Sequence, residues 1–101
     1  MKSKLSDIEF ENLSIEKRAA TLLSLGEFVG SREYYGNTEC LYLVSESFYA
    51  VAIVMGAEPF EVLSVVAVRD ESPQYFQMFK GNQDLATLLR PRMDEGGSFI
   101  V

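Results

Sequence analysis

The chain has 101 residues, 48% of them apolar and 24% charged, with nine Lys and Arg against fifteen Asp and Glu for a formal charge of −6. That length allows one domain, and the aromatic and β-branched content excludes disorder as the default state. With no histidine and a single cysteine, Cys40, one chain cannot hold a disulfide framework, a Cys/His zinc site or a His-dependent triad.

The charge is spread without a basic cluster. Residues 1–36 carry five positives and six negatives, residues 37–69 carry Arg69 against Glu39, Glu46, Glu58 and Glu61, and residues 70–101 carry three against five. Such a surface repels phosphate backbones, so nucleic acid is not an expected partner. Lys2 and Lys4 are followed by Asp7, Glu9 and Glu11 rather than an apolar stretch, which reads as no signal peptide. The longest apolar run, Phe48 to Met55, has eight residues, whereas a spanning helix takes about twenty. No membrane contact is expected. An unpaired Cys40 fits a reducing compartment, so the expected location is cytoplasmic.

Ser6-x-x-Glu9 has the form of a capping box and can start a short turn carrying Ile8 and Phe10. Ser14 then caps a helix whose Ile15, Ala19, Leu22 and Leu23 recur on one stripe, with Gly26 as a left-handed stop. From Glu27 the period becomes two: Phe28, Gly30, Arg32 and Tyr34 share one face, and Val29, Ser31, Glu33 and Tyr35 the other. Gly36-Asn37 is the expected hairpin loop. The next strands are expected over Cys40–Val44, Phe48–Met55 and Phe60–Val68, with a turn at Gly56-Ala57-Glu58-Pro59 before the last of them. Between the second and third strands a three-residue loop, Ser45-Glu46-Ser47, gathers Leu41, Leu43, Tyr49, Val51 and Ile53 on one face. A two-residue loop would scatter them, so pattern favours the longer one.

Ser72-Pro73 opens a short helix running through Lys80 and stopping at Gly81. Asn82 caps a second, carrying Leu85, Leu88 and Leu89 and ended by Pro91, and residues 92–101 are expected to be irregular. The expected fold class is α+β in a single domain over 1–101: an N-terminal helix, a four-stranded antiparallel meander and two short C-terminal helices.

The catalytic inventory is thin. Cys40 has no histidine to activate it, and a small buried strand residue is the simpler reading. The glutamates of the sheet region lie mostly near turns, where solvated charges belong. Asp94-Glu95-Gly96-Gly97 is the densest carboxylate run but lacks EF-hand spacing, and no glycine spacing forms a phosphate loop. No catalytic residue, metal or cofactor is expected.

The sharpest local feature is Arg32-Glu33-Tyr34-Tyr35, which names Arg32, Tyr34 and Tyr35 as candidate ligand or partner contacts. An arginine beside an aromatic can bind a carboxylate or phosphate, or stack on a partner's ring. The plainer reading is an edge strand in which Arg32 pairs with a neighbouring glutamate. The third and fourth strands are apolar on both faces, and a half-solvated antiparallel strand would alternate. Both faces therefore need cover: the N-terminal helix for one, and the C-terminal helices or a second copy for the other.

From the helix through Arg32-x-Tyr34-Tyr35, Leu41-Tyr42-Leu43 and Phe48-Tyr49, over roughly residues 15–69, the chain resembles small uncharacterised bacterial α+β proteins. They share a helix, an R-x-Y-Y hairpin and an L-Y-L strand leading into two more strands. The resemblance implies a fold and brings no activity. The functional expectation is a non-catalytic small acidic interaction module, a homo-oligomer or protein binder, associating through its sheet. The alternatives are a small anionic-ligand or enzymatic site around Arg32 and Tyr34, and an acidic inhibitor mimicking nucleic acid.

Overall fold

A computed structural model describes residues 5–56 and 60–89. The expected turn around Pro59, the stop at Pro91, the Asp94–Gly97 run and the 92–101 tail lie wholly or partly outside these residues.

Helices α1 (Asp7–Glu11) and α2 (Ile15–Leu25) precede strands β1 (Gly26–Tyr34), β2 (Asn37–Val44), β3 (Phe48–Val54) and β4 (Val62–Ala67). Helices α3 (Pro73–Gln77) and α4 (Leu85–Leu88) follow. The strands form one antiparallel sheet in the order β1-β2-β3-β4, so the fold is the α+β meander that the sequence predicts.

The caps follow local chemistry. Ser6 and Glu9 exchange both bonds of the capping box, and Ser14 and Ser72 accept from Lys17 and Tyr75 three residues on. Two expected stops differ. Gly26 is extended (φ −85°) and opens β1; a side chain there would strike the Leu22 carbonyl and the Tyr42 ring. Close approach, not a left-handed turn, requires the glycine. Helix α3 ends at Gln77 rather than Lys80, and α4 is capped by Asp84, not Asn82. Gly81 is instead recruited by β1: Ser31 and Gly81 exchange both backbone bonds, at 3.1 and 2.7 Å.

Register separates the predictions further. Leu43 pairs with Tyr49 and Leu41 with Val51 across the three-residue Ser45–Ser47 loop, as the apolar pattern requires. The first hairpin turns one residue earlier than predicted, at Tyr35-Gly36, with φ values of 51° and 81°. Both central residues of such a turn need positive φ, and here a tyrosine accepts it. A bulge at Val29 also breaks the alternation in β1. Phe28 stays with Tyr42, while Gly30 lies opposite Leu41. Phe28 therefore belongs to the face opposite Arg32 and Tyr34, not to theirs.

One face of the sheet (Cys40, Tyr42, Val44, Ala50, Ala52, Val54, Val65, Ala67) is sealed by Phe10, Ala19, Leu22 and Leu85 from α1, α2 and α4. The other (Leu41, Val51, Tyr49, Ile53) receives Tyr75 and Phe76 of α3 with Phe79 after it. The C-terminal helices thus divide between the faces rather than sharing one. Gly30 makes this possible, because a Cβ there would run into the Phe79 carbonyl.

Candidate functional site

Arg32, Tyr34 and Tyr35 sit at the turn end of the first hairpin. Arg32 and Tyr34 do share a face, since both lie beyond the Val29 bulge. The earlier turn moves the residue opposite Arg32 from Leu41 to Glu39. Glu39 is buried, against the expectation of a solvated carboxylate, and its Oε1 accepts from Arg32 Nε at 2.8 Å.

The guanidinium is enclosed. Its Cζ lies 4.2 Å from the Tyr34 ring centroid, 5.0 Å from Phe79 and 5.6 Å from Tyr75, while Nη1 points at Met78 Sδ at 3.1 Å. A cation held over ring faces and bonded to a carboxylate is satisfied on both counts. Burial, with the Glu39 carboxylate beside it, pushes the Tyr75 hydroxyl above its ordinary value, and Arg32 partly opposes that shift. Open clefts of about 530 and 570 Å³ flank this assembly, and Lys80 and Met78 line both. Tyr35 stands away from the box at the hairpin tip, 87% exposed, its ring edge on Tyr34.

The contributions of Tyr75, Met78 and Phe79 had no local signal in the sequence. They arrive from more than forty positions away, when α3 packs on the Leu41–Val51 face.

Cys40 lies on the opposite face, fully buried, its thiol donating to the Gln83 carbonyl at 3.3 Å. Burial, reinforced by Asp84, pushes it up to about 12. Such a thiol supplies little thiolate at neutral pH. Beside it the Tyr42 hydroxyl accepts from the Leu85 N–H at 2.8 Å, and burial raises it to about 12 even though that bond lowers it. Among the described residues no cluster of three or more Cys, Asp or Glu side chains is placed to hold a metal, and no helix is long and apolar enough to cross a membrane. No family model matches the chain, and neither a curated protein nor a solved structure matches it significantly.

Proposed function

We propose that this chain is a non-catalytic interaction module that associates with itself through its sheet. The observation that carries the reading is the uneven cover of the two faces. Beyond the five-residue α3, the second face leaves Val66 38% exposed near half-buried Ile53. Exposed apolar surface at a sheet margin marks an interaction site when it is rimmed by partly covered apolar residues, and a second copy would cover this one. The chemistry that an enzyme would need is absorbed elsewhere: Cys40 is protonated and buried, and Arg32 is engaged by Glu39.

Light scattering coupled to size exclusion tests it, at about 10 µM because the apparent mass of an associating chain depends on protomer concentration. A mass of two chains or more is expected, and Val66→Lys should lower it. A one-chain mass for the parent protein overturns the reading.

A second reading, a small anion bound beside Arg32 and Tyr34, is favoured by the two clefts there and by Lys80 lining both. A chemical-shift titration with phosphate and sulfate tests this one. Shifts confined to Arg32, Tyr34 and Lys80 support it, and their absence at millimolar anion rejects it.

A further inference from the structure

The outer edge of β4 is closed by two side chains rather than by a strand. The Val68 N–H bonds to the Tyr49 carbonyl at 2.8 Å, and Val66 pairs with Val51. Bonds to β3 therefore fall on residues 66 and 68, and Val65 and Ala67 turn their backbone groups outward. The Val65 carbonyl accepts from Arg18 Nη1 at 2.7 Å, and the Ala67 N–H donates to Glu11 Oε2 at 3.1 Å.

One donor and one acceptor, two residues apart, are what a neighbouring antiparallel strand would present. A second β4, related by a two-fold axis through Val66, supplies both: its Ala67 N–H to the Val65 carbonyl, and its Val65 carbonyl to the Ala67 N–H. The strand itself, Val62-Leu63-Ser64-Val65-Val66-Ala67, carries no lysine, proline or inward charge of the kind that blunts an exposed edge. Val66 and Leu63 are exposed and apolar. The cover comes from α1 and α2, which pack against β4, and the groups that occupy its outward donor and acceptor are Glu11 and Arg18.

We propose that Glu11 and Arg18 are a guard on β4, and that the edge beneath them fits a second copy of this chain through antiparallel β4–β4 pairing. The two halves of the guard differ in strength. Arg18 is tied down by the Leu13 and Glu11 carbonyls at 3.0 and 2.6 Å. Glu11 is held by Arg69, which also pairs with Asp7 and is 61% exposed, so its anchor is open to screening by salt. The acceptor half releases first. This inference concerns an edge and is independent of association through the sheet face; it is read as a change from the parent's mass, whatever that mass is.

The test is Glu11→Ala combined with Arg18→Met, compared with the parent at equal concentration by light scattering. Unguarding is expected to raise the apparent mass about twofold, as for an isologous pair. Adding Ala67→Pro removes the outward N–H without touching a bond to β3, and should return the mass to the parent's. A folded double variant of unchanged mass overturns the proposal, as does a mass increase that Ala67→Pro fails to reverse. If the double variant does not fold, Glu11→Ala alone is read by hydrogen exchange at Ala67. Protection that returns as protein concentration rises supports the pairing, and loss independent of concentration overturns it.

Discussion

Replacing Arg32 by alanine separates a surface ion pair from a buried one. At an exposed strand edge the loss would be no more than about 1 kcal/mol. The structure argues for more, because the Arg32 and Glu39 side chains are only 15% and 10% exposed. Truncating one partner of a buried pair strands the other charge, at a cost of about 3–5 kcal/mol. The ring contacts at 4.2 to 5.6 Å vanish in the same step and belong within that figure. Against a typical domain stability of about 5–15 kcal/mol, Arg32→Ala should remove a large fraction. Urea unfolding followed by circular dichroism measures it. Arg32→Met with Glu39→Leu removes both charges and should be clearly more stable than Arg32→Ala alone. Arg32→Lys keeps a charge without the flat guanidinium and should fall between. A loss below about 1 kcal/mol for Arg32→Ala, or a double variant no better than the single, would refute the buried-pair argument.

Cys40 should react slowly with alkylating reagents in the native protein and rapidly in urea; fast native labelling would show that the thiol is neither buried nor protonated. Stability should fall at alkaline pH. Cys40 and Tyr42 rise from 9.0 and 10.0 to about 12 on folding, so the unfolded chain releases protons first. The contribution of Cys40 is intact below about pH 9 and that of Tyr42 below about pH 10, and both decline as the pH rises toward 12. Urea midpoints that stay level between about pH 8 and about pH 11 would contradict this. Gly30→Ala should cost about 2 kcal/mol or more, since the new methyl meets the Phe79 carbonyl, and a wild-type melting temperature would show that α3 does not sit as close as described.

What the sequence makes legible is whatever repeats. Apolar periodicity finds Ala19 and Leu22 of the α2 stripe, although Ile15 and Leu23 of the same stripe stay exposed, and it fixes the Leu41–Tyr49 register, because a one-residue slip would move every side chain through the sheet. What it hides is single events. Tyr35 takes a positive φ that sterics disfavour, so the turn sits one residue early and Arg32 gains Glu39 as its neighbour. The bulge at Val29 exchanges the faces of the β1 residues before it. Arg18 and Glu11 reach backbone groups about fifty positions away, and no local spacing announces such a bond.

The uneven cover of the sheet follows from how the chain crosses its first edge. Ser31 binds Gly81 through both backbone groups and accepts the Gln83 N–H on its Oγ, while Cys40 and Tyr42 bind the Gln83 carbonyl and the Leu85 N–H. Three residues of β1 and β2 thus draw the 81–85 segment over the edge, from the α3 side to the α2 side. That crossing satisfies the outward groups of Ser31, and it commits α4 to a face already carrying α1 and α2. The opposite face is left with α3 and Phe79, enough to bury Leu41 and Val51 and to box in Arg32, but too short to reach Val66. The arrangement that protects the β1 edge is therefore the one that leaves Val66 of β4 exposed. Lengthening α3 would cover Val66, and the proposed second copy would cover it without any change to the fold.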